Sequence, residues 1–468
     1  MGQLSLDDSE DSFTEDIALS ICEKLQKIPL PQLSGHEQIQ LLDIVECLGL
    51  VEQQRRSMDE NAARFMLFFR QHALRKGRTN EYHMSWREIN WGYHSTSQDI
   101  LTDFVSRQYH GSMLWESARE SGIFMWLTDA AAVVVTQGSS VSTELTIEQK
   151  AQFEIVARNE YTKSETKSPV DCTLFYLALK KKTVLQGLWR MAHGNREQAA
   201  TQKLLANNFE DPKWKTTALK NAYALLSKRR FEYAAAFFLL ADHLQDAVNV
   251  CLNQIKDLQL AIAIARVYEG DDGPVMRRLL ENEVLAVASQ EGNRWLASWA
   301  FWMLRRRDMA VRALITPVFT LLETPSTPDL KAKSFLTDDP ALIVLYNQLR
   351  QKTLQTLRGA SKVTPKVEWD FVIHNARLYD RMGCDLLGLD LVRNWEFLRT
   401  PKAQPGLGGE IDPRKMLRRS SSLVVADMPL SPVDIEMKTG YHPTNKVQQT
   451  PTVFEEPDAS SLLDSFGF

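Results

Sequence analysis

Along most of this chain apolar residues recur at intervals of three and four, the spacing that gathers them on one side of an α-helix. Near the start they are Ile17, Leu19, Ile21 and Leu25, then Ile39, Leu41, Leu42, Ile44, Val45 and Leu48, with Pro29, Pro31 and Gly35 between the groups. That pattern predicts two short helices within residues 1–60. A helical stretch over 61–75 and an aromatic-rich block over 86–126 follow. Ser85 and Glu88 stand at capping-box spacing, so hydroxyl and carboxylate each satisfy a backbone N–H that a first turn leaves unpaired, and a helix is expected to start there. Between 130 and 146 the pattern gives way to small and β-branched residues with Gly138, Ser139, Ser140 and Ser142, which reads as a loop or an insertion. Thr146 and Gln149 repeat the capping signal, and helical periodicity resumes through Ala157.

From 171 to 395 the chain reads as helix after helix, with no strand-period segment between. Asp211 before Pro212, Asp339 before Pro340 and Thr364 before Pro365 each place a capping side chain ahead of a proline suited to a first helical position. Gly359 is expected to end the helix carrying Leu342, Leu345, Tyr346, Leu349 and Leu357. Weak self-similarity links Arg230, Phe231 and Ala236 to Arg294, Trp295 and Ala300, and Asp246, Ala247 and Val248 to Met309, Ala310 and Val311. Half of that offset is close to the ~33–34 residues of common helix-hairpin repeats. An all-α fold is predicted, an α-solenoid of stacked helical hairpins, because a hairpin apolar on both helices must bury itself against neighbours. The expected organisation is short helices over 1–60, the aromatic helical block over 61–130, the loop or insertion over 131–146, the hairpin array over 147–400, and a disordered tail over 401–468. In that tail Pro401, Pro405, Gly406, Gly408 and Gly409 open a stretch too poor in apolar residues to order itself.

Composition narrows the function. The 468 residues carry 55 Lys and Arg against 59 Asp and Glu, a formal charge of −4, so no long-range field gathers polyanions and nucleic acid is not an expected partner. The basic runs 180–182 and 305–307 fall at predicted helix ends, where cations suit the dipole. The five cysteines, Cys22, Cys47, Cys172, Cys251 and Cys384, are too scattered for a zinc or disulfide framework. Cys172, Cys251 and Cys384 sit in apolar helical patterns and are expected as buried thiols in a reducing cytosol. The first fifteen residues are acidic and polar, so no secretory signal is read there. The longest apolar run, 234–241, is far below the ~20 residues of a membrane helix, so no direct membrane insertion is expected. Leu6 stands where a myristoylation signal beginning at Gly2 would need Ser or Thr.

No phosphate loop, no metal-binding histidine pair around a glutamate, no nucleophile elbow and no paired-cysteine motif occurs. The glycines at 406–409 follow no strand. His72, His83, His94 and His110, with Glu81, Glu88, Asp99 and Asp103, form the densest region for imagined metal or acid–base chemistry, but their spacing is irregular and interleaved aromatics favour helix-face packing. No catalytic residue, cofactor or metal is nominated. The candidate sites are contact surfaces. Trp295, Trp299 and Trp302 share one helix face, readable either as core between hairpins or as an exposed aromatic groove for a partner helix. Leu462, Leu463, Phe466 and Phe468, among acidic residues, read either as a docking peptide or as a frayed end. Arg418 and Arg419 before Ser421 match a basophilic kinase site, where phosphate would reverse the local charge.

Several long strings carry a resemblance: MSWREINWGYHSTSQDIL from Met84, MLWESARESGIFMWLTD from Met113, ARNEYTK from Ala157, KNAYALLSKRRFEYAAAFFLLADHLQDAV from Lys220, EGNRWLASWAFWMLRRRDMAVRAL from Glu291 and YDRMGCDLLGLDLVRNWEFL from Tyr379. They resemble the C-terminal region of the scaffold subunit of RAVE, the regulator of the vacuolar and endosomal proton ATPase, related in animals to the DmX-like or rabconnectin-3 proteins. The resemblance runs from about Phe65 to Arg399. It implies a non-catalytic cytoplasmic scaffold, recruited peripherally to vacuolar and endosomal membranes, that promotes assembly or reassembly of the ATPase. Implied partners are subunits of the peripheral ATPase sector, other RAVE subunits and a Skp-type adaptor. Members of that family carry β-propellers ahead of this region and run without the 133–143 segment, so the chain is expected to be a fragment, a short product or a truncated one, with an insertion at 133–143. A vesicle-coat or endosomal trafficking scaffold is the alternative, since helical solenoids with acidic Leu- and Phe-bearing tails also occur there.

Overall fold

A computed structural model describes residues 13–54, 57–75, 83–128, 148–323, 325, 327–336, 338–354 and 363–397. Among these every regular element is helical and none is a strand, as the periodicity predicts. The first helices are α1 (Glu15–Lys27), α2 (Gly35–Gln54) and α3 (Glu60–Arg75), followed by the aromatic block α4 (Trp86–His94), α5 (Gln98–Gln108), α6 (Trp115–Ser121) and α7 (Ile123–Trp126). The array continues with α8 (Glu148–Thr162), α9 (Pro169–Ala178), α10 (Lys182–Met191), α11 (Gln198–Leu205), α12 (Pro212–Ser227), α13 (Phe231–Leu240), α14 (Leu244–Val250), α15 (Leu258–Glu269) and α16 (Pro274–Leu279). It ends with α17 (Leu285–Glu291), α18 (Arg294–Met303), α19 (Arg307–Ile315), α20 (Val318–Leu321), α21 (Pro328–Leu336), α22 (Ala341–Leu354), α23 (Pro365–Arg381) and α24 (Asp385–Arg393). The five-residue turns Cys251–Ile255 and Leu280–Val284 continue α14 and α16 with π geometry.

The start signals act as read. Ser85 and Glu88 form the capping box of α4, and Asp211 and Thr364 cap α12 and α23 ahead of Pro212 and Pro365. At α22 the Asp339 carboxylate accepts from the Ala341 N–H at 2.9 Å, so the helix begins one residue after Pro340. Thr146 and Gly359 lie outside the described residues.

The hairpins share one turn chemistry. After α9, α12, α13 and α18 a single residue takes the left-handed conformation: Lys180, Arg229, Asp242 and Arg305, with φ between 58° and 65°. The next N–H reaches back to the carbonyl five residues earlier, as in Lys181 to Tyr176 (2.9 Å), Arg230 to Leu225 (3.0 Å), His243 to Phe238 (2.9 Å) and Arg306 to Phe301 (2.9 Å). These bonds satisfy carbonyls that the helix ends would leave unpaired. Asp242 and Arg305 occupy the same place in the two hairpins α13–α14 and α18–α19, which is the physical content of the repeat visible in sequence. The basic runs at 180 and 305 are therefore turn residues at helix C-termini.

Helix α8 packs on α9 and α9 on α13, which also carries α12 and α14, and a second run of contacts passes from α17 through α18, α19, α22 and α23 to α24. Tyr233 and the apolar run 234–241, which spans α13 and its C-cap, are buried, with α9, α12 and α14 all packed on α13. The aromatic block does not stand apart from this array. Helix α4 lies on α18 and α7 lies on α15, so one continuous core runs from Ala62 to Val372. Gly122 makes the corner between α6 and α7: it has φ +62°, and a Cβ there would meet the Ile89 side chain at 2.9 Å. Gly388 lets α24 rest on α23, where a Cβ would stand 2.9 Å from the Ala376 carbonyl oxygen.

Candidate interaction surfaces

The tryptophan face of α18 shows what this fold does with its largest side chains. Asn293 caps α18 through the Leu296 N–H, which fixes the helix start and sends Trp295, Trp299 and Trp302 toward α4. There Trp91 meets Trp295 edge-on at 5.4 Å, Trp86 meets Trp299 at 5.0 Å, and the His94 ring meets Trp302 edge-on at 4.9 Å. Polar atoms complete the seam. The Asn90 amide donates to the Trp295 carbonyl at 3.0 Å, and the Trp299 indole N–H donates to the Met125 carbonyl at 3.1 Å. Trp299 is 0% and Trp295 6% exposed, and Trp302 is half-buried beneath the Arg307 guanidinium. The exposed-groove reading is corrected accordingly: the groove exists, but α4 of the same chain fills it. The other candidate contacts, Leu462, Leu463, Phe466 and Phe468, and the candidate phosphorylation site Ser421, lie outside the described residues.

Buried charge serves the same joining purpose. Arg266 of α15 is 1% exposed, and its guanidinium donates to the Phe124 carbonyl, to the Leu127 carbonyl at 3.0 Å, and to both carboxylate oxygens of Asp271. It thus caps the C-terminal end of α7, where carbonyls lack helical partners and a cation is favoured by the dipole. Asp257 caps α15 through the Leu260 N–H and also accepts from the Trp115 indole at 2.9 Å. Near the end of the array, Glu368 of α23 accepts from Arg350, from the Tyr346 hydroxyl at 3.2 Å and from the Trp395 indole at 3.0 Å. Sequence reasoning missed these three hubs. Arg266 is a charge in an apolar stretch, which marks a buried pair but not its partner, whereas Asp257 beside Lys256 and Glu368 between Lys366 and Asp370 read as ordinary surface charges.

The four histidines of the imagined acid–base region occupy separate environments. His72 faces Glu120 at 3.5 Å inside the block, His83 is exposed, His110 sits in a left-handed turn, and His94 is buried on the tryptophan seam. Burial, with Lys352 adding to it, holds the His94 imidazole well below its usual range, so it is neutral. Among the described residues no cluster of three or more His, Cys, Asp or Glu side chains could hold a metal ion. Burial pushes the Cys47 thiol up to about 11 and the Cys172 thiol up to about 12, and raises Cys251 further. These thiols stay protonated and act as small apolar groups. Cys384 departs from expectation: it is half-buried in the turn before α24, because the apolar pattern it seemed to share belongs to the helix that follows.

Several large apolar side chains face outward on a few helices. Ile17, Leu19, Ile39, Ile44 and Leu48 are exposed on α1 and α2, and Leu386, Leu387 and Leu389 on α24. A cleft of about 600 Å³ opens between α1, α2, α3 and α5, floored by Leu19, Leu42, Leu50 and Phe104 and edged by Glu46 and Arg70, which pair with each other at 3.0 Å. Val184 and Met191 are exposed on α10. Among the described residues no helix is long and apolar enough to cross a membrane.

This geometry defines a helical-array protein in which buried Trp, Arg, Asp and Glu side chains join helices and several apolar side chains on α1, α2, α10 and α24 stay exposed. The chain belongs to the family described as RAVE protein 1 C terminal, which its residues 2–391 match. It is 37% identical over 397 residues to the Regulator of V-ATPase in vacuolar membrane protein 1 of Saccharomyces cerevisiae, covering 84% of this chain and 28% of that protein. The protein of the same name from Schizosaccharomyces pombe is 34% identical over 427 residues, 85% of this chain and 31% of the relative. DmX-like protein 1 of Mus musculus is 28% identical over 412 residues, 78% of this chain and 13% of the relative. The chain therefore spans less than a third of the length of each of these relatives.

Proposed function

We propose that this chain is a non-catalytic scaffold that promotes assembly or reassembly of the vacuolar-type proton ATPase. In this reading it works in the cytoplasm, recruited peripherally to vacuolar and endosomal membranes, and binds subunits of the peripheral ATPase sector together with other RAVE subunits, a Skp-type adaptor among them. One observation carries the proposal: the family match runs through nearly the whole helical array, and two of the relatives are named regulators of V-ATPase. The physical description supports it. Binding free energy in a helical array is distributed over wide faces, and this array keeps several apolar faces uncovered while its thiols, its Trp seam and its buried ion pairs hold helices together. Residues 401–468 act here as a carrier of short motifs, with Ser421 as a phosphorylation site and Leu462, Leu463, Phe466 and Phe468 as docking contacts.

The test is reconstitution. The immobilised chain, mixed with the purified peripheral sector of the pump, should retain peripheral-sector subunits at micromolar concentration. Retention of none of them, with unchanged reassembly of pump activity on vesicles when the chain is added, would remove the proposal.

A further inference from the structure

Between α9 and α13 the chain carries a concentration of positive charge that its total hides. Residues 180–230 hold twelve Lys and Arg against three Asp and Glu, Glu197, Glu210 and Asp211, within a protein whose formal charge is −4. Part of this excess converges in space. The Gln198 amide donates to the Trp189 and Arg190 carbonyls, both at 3.1 Å, which folds the turn after α10 back against its last residues. The Arg230 guanidinium grips both carboxylate oxygens of Glu197, which brings the end of α12 to the same place and offsets the acidic group there. Arg190, Arg196, Lys228 and Arg229, all exposed, are grouped by these bonds around one corner of the array.

Beside that corner runs an apolar stripe with an unexplained gap. On α10, Val184, Gly187 and Met191 recur at three and four residues, on the side opposite the buried Leu185 and Trp189. Val184 is 38% and Met191 61% exposed. Gly187 lies between them in the middle of the helix, where glycine costs about 1 kcal/mol relative to alanine. At Gly388 the chain uses a helix glycine for close approach of its own backbone, but a Cβ on Gly187 would meet nothing within 4 Å among the described residues. The hollow is open to solvent and serves no contact described within this chain.

We infer that this face of α10 docks an acidic amphipathic helix of a partner protein. A ridge of that helix seats in the hollow at Gly187 between Val184 and Met191, and its carboxylates meet the guanidinium forks of Arg190, Arg196 and Arg229. The chemistry favours a protein over an anionic membrane. Three of the four exposed cations at the corner are arginines, which suit planar, two-point recognition of carboxylates, whereas a bilayer responds to charge number and makes no use of a one-residue hollow. The inference rests on the scaffold reading only in taking a protein as the partner, and peptide binding measured alone can fail while retention of pump subunits survives, or the reverse.

The experiment uses the full chain and fluorescence anisotropy. The probe is a labelled helical peptide of about 18 residues with Leu on one face at helical spacing and Glu on both flanks. A second peptide has Lys in place of each Glu, and vesicles containing phosphatidylserine form a third arm. The acidic peptide should bind at least about tenfold tighter than the Lys peptide, with affinity falling as salt rises. Arg190→Glu with Arg196→Glu, and separately Gly187→Leu, should each weaken it about tenfold or more. All three positions are on the surface, and Gly187→Leu raises helix propensity, so the thermal melt by circular dichroism should be no lower. Lys213→Glu with Lys220→Glu, which removes as much charge elsewhere on α12, should leave binding within about twofold. Equal binding of the two peptides, indifference to Gly187→Leu, an equal loss in the Lys213 and Lys220 variant, or binding to vesicles alone would overturn the inference.

Discussion

Replacing Trp299 by alanine tests whether the indole face of α18 is core. A buried tryptophan removes about 150–250 Å² from water, worth roughly 4–6 kcal/mol at ~25 cal/mol/Å². Core Trp→Ala changes elsewhere cost about 3–5 kcal/mol once the residual cavity is included. Trp299 is fully enclosed, touches Trp86 and Tyr93, and donates to the Met125 carbonyl, which would be left without that donor; the lost bond adds about 1 kcal/mol. Trp299→Ala should therefore destabilise by about 4–5 kcal/mol. Trp299→Phe, which keeps an aromatic ring but not the indole N–H, should cost about 1–2 kcal/mol. Trp302→Ala, on a half-buried ring against His94, should cost about 1–2 kcal/mol. Urea unfolding followed by far-ultraviolet circular dichroism reads these differences: with a slope of roughly 3 kcal/mol per molar, the Trp299→Ala midpoint falls by more than about 1 M. An alanine variant within about 1 kcal/mol of the parent, or a larger loss for Trp302 than for Trp299, would refute the seam.

Three further outcomes are expected. His94 has its folded-state pKa depressed by burial and by Lys352, so the unfolded chain binds the proton more readily: the stability linked to this group is fully present above the unfolded value of about 6.5 and is lost as pH falls below it, by about 1.4 kcal/mol per unit. His94→Leu should flatten the urea midpoint against pH between about 6.5 and 5 by that slope, and an unchanged slope would contradict neutral burial. Gly122→Ala combines a left-handed backbone with an approach to Ile89 at 2.9 Å and should cost about 2–3 kcal/mol, against about 1 kcal/mol for Gly111→Ala, whose added Cβ meets nothing within 4 Å; equal costs in urea melts would exclude the contact. Ellman's reagent should modify Cys22 and Cys384 in the native protein, while Cys47, Cys172 and Cys251 resist until denaturant is added.

The parts of this fold that were legible in sequence are those that local chemistry determines. A capping carboxylate or hydroxyl acts within three residues, so Ser85, Asp211 and Thr364 marked helix starts that the structure places at or beside them. The hairpin repeat was legible for the same reason: α13–α14 and α18–α19 turn on residues at matching places, Asp242 and Arg305. The nature of that turn was not. Sequence reasoning expects glycine where a helix ends left-handed, and here lysine, arginine and aspartate hold the position, each with the same backward bond. The bond to the carbonyl five residues earlier offsets the strain of a Cβ in that region, and no side-chain pattern announces it.

What stayed hidden depends on partners far apart in the chain. Trp86 meets Trp299, Asn90 meets the Trp295 carbonyl, and Arg266 reaches the carbonyls of Phe124 and Leu127, contacts that span from 139 to more than 200 residues. An amphipathic stripe states that it must be covered without stating by what, so an indole row reads equally well as core or as open groove. The cover proves to be α4, a helix of nine residues with Ile89, Asn90 and Trp91 all buried. That coverage has a consequence for how the molecule holds together. A linear stack, in which each hairpin touches only its neighbours, can open locally with small loss. Here α4 and α7 clamp α18 and α15 from the side, so opening α18 uncovers the five tryptophans of the seam, breaks the Asn90 and Trp299 bonds across it and leaves the aromatic block bare at once. Contacts of α4 with α18 and of α7 with α15 should therefore make the aromatic block and α15–α18 open together rather than hairpin by hairpin, and they use the tryptophan row that in sequence read equally as core or as groove.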